Sequence, residues 1–421
     1  MAKDGVFTVM DVGTTKVCTI VCSRQGNKIM VLGSAVVPSR GVRRAQVVNV
    51  DEAVEAVQAS LEKAERTTGV HIHSVRVGVT GSHVTCINKQ GMLVLGQIAR
   101  TIQSKDVDRL LENVATIRVP GKKEVLHVLP SSFILDGQKG IRNPQGLHAA
   151  KLDVEAHVVI ASTNLVEGLS DCLRRAGVKV DGLVLEPLAD SSVILTAEER
   201  QQGVVLADIG GGTTDIVVCS KGAVVHTAVI PVAGYQFTND LAFGLRTPYP
   251  AAEELKMKYG HALPQSVPAE ETVEVPAFNS ETKRIVPRRE VCIILEARSR
   301  ELLSMIQSEV RRCGVDNLPA GLVLTGGSSC LPGFVEMASD MLKMPVRIGS
   351  PSASLGIPQE LCHPSYATAV GLMMWDERQD VAKRSLEWAV PIWAQWWQSL
   401  RARLGGLFHR EQPGPGHVFG K

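Results

Sequence analysis

Two apolar runs open the chain, 7–12 and 17–22, with the polar stretch Gly13-Thr14-Thr15-Lys16 between them. Short β-branched runs of this kind predict two strands about a tight turn. From Asp51 the period changes: Val54, Val57, Leu61 and Ala64 recur at three- and four-residue spacing, and Gly69 follows. That spacing predicts a helix with glycine as its stop. The run 75–79 reads as a strand, 164–175 as a helix, 182–185 and 204–208 as strands, and 290–312 as a long helix. The last globular helix is expected to end near Trp375. Apolar runs alternating with helical stretches predict an α/β architecture.

Between 82 and 159 the pattern loses regularity, with many Gly and Pro residues and one clear helix at 105–116. This section is expected to be an inserted subdomain. The polar segment 264–287 is expected to be an exposed loop or hairpin. The chain then divides into a first lobe (1–81 and 160–202), the insert (82–159), a second lobe (203–375), a linker (376–390), a helix (391–410) and a disordered tail (411–421).

A length of 421 residues exceeds one ordinary core, in keeping with that division. The 44% hydrophobic and 21% charged content is that of a globular protein. With 45 basic against 43 acidic side chains there is no concentrated basic face, so nucleic acid is not expected as a partner. Nine dispersed cysteines without a Cys-x-x-Cys pair predict free thiols buried as small hydrophobes in a reducing compartment. Their spacing makes no case for zinc. No apolar run reaches 18 residues and no signal-like segment follows Met1, so a cytoplasmic chain that does not cross a membrane is expected.

Chemistry concentrates in a repeated hairpin. Asp11-Val12-Gly13-Thr14-Thr15-Lys16 and Asp208-Ile209-Gly210-Gly211-Gly212-Thr213-Thr214-Asp215 each follow an apolar strand and lead into another. Glycine lets backbone amides approach phosphate oxygens, and threonine hydroxyls add donors. Asp11 and Asp208 can hold the water shell of Mg²⁺, and Lys16 is a point cation for phosphate. One such turn is weak testimony, because D-x-G-x-T is a common β-turn. Two between strands predict a nucleoside triphosphate site. A third segment, Val323-Leu324-Thr325-Gly326-Gly327-Ser328, runs an apolar strand into paired glycines suited to a flat base and ribose.

The two hairpins and the late Gly-Gly turn, in this order, resemble the actin, sugar-kinase and chaperone ATPase superfamily. Within it the chain is similar to the FtsA family of division proteins, over nearly its whole length. The insert carries matching residues at Asp106-Val107, 125–130, Leu135-Asp136, Ile141-Arg142-Asn143-Pro144 and Gly146-Leu147. It departs from the family at Ser131-Ser132, where Gln is common, and at Leu147 and Ala150, where Met and Gly are frequent. The resemblance implies an actin-like fold of two lobes around a nucleotide cleft with an FtsA-type insert. It also implies ATP and Mg²⁺ as ligands, with ATP controlling self-association and turnover at most slow. The runs 239–248 and 252–256 resemble the family's nucleotide side, which nominates Asn239, Glu253 and Lys256. The run 295–303 looks like the helix that receives the FtsZ tail, within a partner-binding part at about 240–312, nominating Glu296, Arg298 and Glu301. Other division proteins are implied to dock on the insert. Glu186 stands where the superfamily often orients the attacking water, although a Glu beside Pro187 at a helix start can equally be a cap.

Every tryptophan lies at or after Trp375. From Pro391, the residues Ile392, Trp393, Trp396, Trp397, Leu400, Leu404, Leu407 and Phe408 recur at helical spacing, with Arg401, Arg403 and Arg410 the only full charges. A Trp-rich apolar face beside arginines predicts a helix lying on an anionic membrane surface. A membrane-anchored adaptor that tethers FtsZ joins cleft, insert and tail in one reading. A small-molecule kinase needs an acceptor pocket that no segment offers, and a pilus-assembly-type adaptor would not be expected to carry such a tail.

Overall fold

Two five-stranded sheets share one strand plan. The first runs Lys179–Leu185, Ser74–Val79, Gly5–Val12, Lys16–Gln25, Lys28–Pro38, and the second runs Val346–Ile348, Leu322–Thr325, Val204–Ile209, Thr214–Ser220, Ala223–Ile230. In each, three consecutive strands form an antiparallel meander and two later ones join in parallel on its far side. The computed structural model describes residues 5–26, 28–116, 121–278, 283–315 and 317–375. The expected α/β architecture is present, and so is the duplication.

Each central strand is buried on both faces and divides its side chains between two cores. Val9, Cys18 and Ile20 point to one side while Met10, Val17 and Val21 point to the other. Val204, Leu206 and Val217 likewise oppose Val205, Ala207 and Ile216. Period-two alternation with apolar residues on both faces is what a covered sheet requires. The helices Glu186–Ile194 and Ala367–Met374 lie in the core between the sheets, contributing Leu188, Ala189, Val370, Leu372 and Met373. A Cβ at Gly371 would sit 2.3 Å from the Ala189 carbonyl oxygen, so this crossing needs glycine. The outer faces are covered by Val50–Thr68 and Thr163–Arg175 on one sheet and by Arg288–Arg312 and its neighbours on the other.

The helix read from Asp51 spans Val50–Thr68: the Asn49 side chain accepts the Glu52 amide, and Gly69, at φ 68°, closes the end. Three expectations are corrected. The insert is a regular four-stranded sheet, ordered Gln138–Ile141, Lys123–Leu135, Lys151–Ser162, Thr85–Val94, with the helix Ser104–Ala115 packed on it. Its strands were hidden because the polar run Asn88-Lys89-Gln90-Gly91 breaks the apolar pattern of Thr85–Val94 and Lys123–Leu135 carries Pro130 at a register shift. The segment 264–287 contains a hairpin, Thr272–Pro276 with Lys283–Pro287, but Val273 and Val275 are buried against the second core rather than exposed. The cysteines are all free, yet Cys330 is exposed and Cys86, Cys313 and Cys362 are only partly buried.

The insert does not stand away from the body. It lies along Ala223–Ile230, the edge strand of the second sheet: Asn88 donates to the Val225 carbonyl at 3.1 Å and Ser131 to that of Val224 at 3.4 Å. Arg142 donates to the Lys221 carbonyl and the Gln201 side chain. Covering an edge this way removes its unpaired backbone groups from solvent. No helix of the described residues is long and apolar enough to cross a membrane. The tail and its nominated residues from Ile392 to Phe408 lie outside the described residues.

Candidate functional site

The hairpin turns close identically. The Gly13 amide donates to the Lys16 carbonyl and the Gly210 amide to the Thr213 carbonyl, each at 3.0 Å. Among the described residues, the amides of Thr14, Thr15, Gly211 and Gly212 have no partner. The tips face each other: a Cβ at Gly211 would lie 2.4 Å from Thr15 Cγ2, and one at Gly212 2.3 Å from Thr14 Oγ1. Glycine at these two positions is what lets the lobes approach.

Around the tips opens a cleft of about 720 Å³, within the size range of small-ligand sites. Of the nominated residues it gathers Asp11, Gly13, Thr14, Thr15, Lys16, Glu186, Asp208, Gly210, Gly211, Gly212, Thr213, Glu253, Lys256, Gly326, Gly327 and Ser328. Two nominated residues lie elsewhere. Thr214 is fully buried, its hydroxyl donating 2.7 Å to the Val232 carbonyl, and Asn239 is exposed on Gly234–Gly244 away from the cleft lining. Both miss for one reason: the chain's direction decides which side of a turn or helix faces the cleft, and residue type alone does not.

Lys16 Nζ donates to the Ser365 carbonyl at 2.5 Å and stands over the Tyr366 ring. Lys256 donates to Glu253 at 2.8 Å, to the Thr238 hydroxyl at 2.9 Å and to the Gly234 carbonyl at 3.4 Å. Gly326 is held at φ 84°, with the position of its absent Cβ 2.1 Å from Asp208 Oδ1. Ser328 Oγ donates 2.8 Å to the Gly210 carbonyl, joining the third element to the second hairpin. Sequence reasoning missed Arg43, Tyr235, Tyr249, Met257, His363, Ser365 and Thr368, which also line the cleft. Arg43 sits over Tyr235, which packs on Tyr249, so an aromatic pair from the second lobe meets a cation from the first.

Carboxyl groups crowd the floor. Burial pushes Asp11 up, against the opposing pull of Lys16. It lifts Asp208 to about 6, again against Lys16, and Asp215 to about 7, against a hydrogen bond from Thr80. Glu186 and Asp190 are raised well above the carboxylate range, by burial first and then by the neighbouring acids. Asp190 is fully buried on Glu186–Ile194, and neither of its oxygens has a hydrogen-bond partner among the described residues. Thr213 donates to Asp215 at 2.9 Å and Thr368 to Asp208 at 3.4 Å. Such a floor suits a cation above it, because uncompensated buried acids are costly. Among the described residues no group of three or more His, Cys, Asp or Glu side chains is arranged to hold a metal directly.

The nominated partner residues are on the helix Arg288–Arg312. Arg298 binds Asp240 through Nε at 2.6 Å and Nη2 at 3.0 Å and also reaches Glu301, while Glu296 pairs with Arg300 at 2.8 Å.

The family model described as cell division protein FtsA matches residues 205–371, and that of the SHS2 domain inserted in FtsA matches residues 81–160. Cell division protein FtsA of Pseudomonas aeruginosa is 39% identical over 368 residues, covering 87% of this chain and 88% of that protein. The Bacillus subtilis protein of the same description is 33% identical over 375 residues, covering 89% and 84%. Among solved structures, the PilM–PilN type IV pilus biogenesis complex superposes with a TM-score of 0.61 at 17% identity, covering 87% of this chain and 97% of that one. MreB5 of Spiroplasma citri bound to AMPPNP gives 0.54 at 13%, covering 92% and 99%. These two likenesses establish the actin-like fold. With close sequence relatives along most of its length and the family's inserted domain in place, the chain belongs to the FtsA family of cell-division proteins.

Proposed function

We propose that the cleft binds ATP with Mg²⁺ and that the nucleotide sets the shape of a subunit that self-associates into actin-like filaments. The supporting observation is the tip-to-tip meeting of the two hairpins, with four unpartnered amides and Lys16 around one opening. The amides of Thr14, Thr15, Gly211 and Gly212 cradle the terminal phosphates, and their hydroxyl neighbours add donors. Lys16 balances phosphate charge. Lys256 and Glu253, already paired, flank the base and ribose, with Gly326 and Gly327 as the opposite wall. Bound Mg²⁺ would neutralise phosphate charge, with Asp11 and Asp208 holding its waters.

Hydrolysis is slow in this reading. Glu186 lines the cleft, where burial and then the neighbouring acids hold its carboxyl well above the ordinary range, and it is the residue placed to orient an attacking water.

The Arg288–Arg312 helix receives the FtsZ C-terminal tail, further division proteins dock on the insert, and the segment 391–410 lies on the anionic inner face of the cytoplasmic membrane at the division site. The test is electron microscopy of lipid monolayers with the full chain, ATP and FtsZ. Nucleotide-dependent filaments that recruit FtsZ are expected. Nucleotide-independent films without FtsZ would overturn the proposal.

A further inference from the structure

Where the insert meets the second lobe, well outside the nucleotide cleft, three strands and a helix bring four chemistry-bearing side chains together. Cys86 comes from Thr85–Val94, His157 from Lys151–Ser162, His226 from Ala223–Ile230 and Glu309 from Arg288–Arg312. Cys86 Sγ lies 3.8 Å from His226 Nδ1 and 3.2 Å from the Thr227 carbonyl oxygen. The far nitrogen of His226, Nε2, is 3.3 Å from Glu309 Oε2, and Arg312 holds the other oxygen of that carboxylate at 2.7 Å. The second imidazole is fixed as well. Asn88 is oriented by its amide donating to Val225, so its Oδ1 accepts from His157 Nδ1 at 2.8 Å, and His157 Nε2 meets the Thr227 hydroxyl at 3.0 Å. His157 is wholly buried, whereas Cys86 is only partly so.

A thiol, an imidazole beside it and a carboxylate behind that imidazole form a nucleophile, a base and an orienting group. We propose that Cys86 is a reactive thiolate, a site of reversible S-thiolation at the seam between insert and second lobe. The thiol proton passes to His226 Nδ1, and Glu309 stabilises the imidazolium through Nε2. Cys86 S⁻ then attacks one sulfur of a low-molecular-weight disulfide. A new S–S bond forms as the old one breaks, the leaving thiolate takes the proton from His226, Cys86 is oxidised and the departing sulfur is reduced. The charge balance agrees with the geometry. Burial pushes the Cys86 thiol up, but the two imidazoles beside it, His157 and His226, outweigh it and bring it down to about 5. His226 is raised, first by Cys86 and then by Glu309. With Thr227 against the sulfur, an adduct does not fit in the closed seam, so modification lifts the insert from the edge strand.

Alkylation of the full chain by iodoacetamide, followed cysteine by cysteine in a mass spectrometer from pH 6 to pH 8, tests the thiolate. A low-pKa thiolate is intrinsically a weaker nucleophile, so the pH profile and not the absolute rate discriminates. Cys86 should change less than about twofold across that range, while exposed Cys330, whose thiol is raised by burial, climbs about tenfold per pH unit. The Glu309→Gln variant should move the Cys86 profile towards that of Cys330. Treatment with glutathione disulfide should modify Cys86 and increase amide exchange along Ala223–Ile230. A Cys86 rate that climbs tenfold per unit to pH 8, a Cys86 that stays unmodified while Cys330 reacts, or an adduct that leaves exchange unchanged would each overturn the proposal.

Discussion

Gly212 faces Thr14 across the cleft so closely that a Cβ on it would lie 2.3 Å from the threonine hydroxyl oxygen. The contact joins the two lobes at the point where the hairpins meet. Gly212→Ala forces the tips apart without disturbing either core. ATP affinity should fall by about tenfold or more, which is ~1.4 kcal/mol of binding free energy. The melting temperature of the empty protein should stay within a few degrees, because the added methyl enters the seam between the tips and no core residue of either lobe is touched. Titration with a fluorescent ATP analogue, with circular dichroism as the fold control, measures both. Unchanged affinity would remove the reason for glycine at this tip.

The acidic floor makes the stability of the empty protein depend on pH. Asp208 and Asp215 are raised to about 6 and about 7, and Asp190 is raised as well, all chiefly by burial. A raised acid means that the native state binds more protons than the unfolded chain, so its contribution is full below the ordinary carboxylate pKa and is lost as pH rises through the folded value. Urea midpoints should therefore fall as pH rises from about 4 to about 7. Asp190→Asn should flatten part of that fall, and Mg²⁺ with ATP should reverse part of it at neutral pH. A midpoint that rises steadily across the same window would show that the floor is not protonated.

Much of this was legible in the sequence, and what was not has a physical cause. The hairpins at Asp11 and Asp208 were readable because glycine and threonine between apolar strands leave few other conformations, and Gly69 stopped its helix as read. Arg43 and Tyr235 were not, because each owes its place to the other lobe rather than to its own neighbours. The insert's sheet was obscured because Asn88-Lys89-Gln90-Gly91 interrupts the apolar run of Thr85–Val94, and its exposed Ile87, Met92 and Val94 break the alternation of a half-buried strand. Cys86 looked like a small buried hydrophobe until the fold placed two histidines beside it.

The segment 391–410 carries Trp393, Trp396 and Trp397 with Arg401 and Arg403 in one stretch. Tryptophan prefers the interface and arginine attracts anionic headgroups. Deleting 391–421 should abolish co-sedimentation with anionic liposomes and leave ATP binding unchanged, since the cleft is lined by described residues that precede 376. Sedimentation should also weaken with added salt, because the headgroup attraction is screened. Undiminished pelleting of the truncated chain would place membrane binding elsewhere.

Arg298 and Glu301 stand one turn apart on Arg288–Arg312 but differ in what they hold. The Arg298 fork grips Asp240 on the helix Gly234–Gly244, while Glu301 is exposed and, among the described residues, pairs with Arg298. Arg298→Ala should cost about 1–2 kcal/mol, since a charge-assisted bidentate bond between two helices is lost. Glu301→Gln should change stability by less than about 0.5 kcal/mol, as surface pairs do. Chemical denaturation gives both numbers, and fluorescence anisotropy with an FtsZ tail peptide gives the binding. If the tail docks on this helix, Glu301→Gln alters affinity at unchanged stability, an effect that a loosened fold cannot produce. If Glu301→Gln leaves affinity untouched and only Arg298→Ala lowers it, in step with the loss of stability, then the fork serves the packing of the two helices and the tail binds elsewhere.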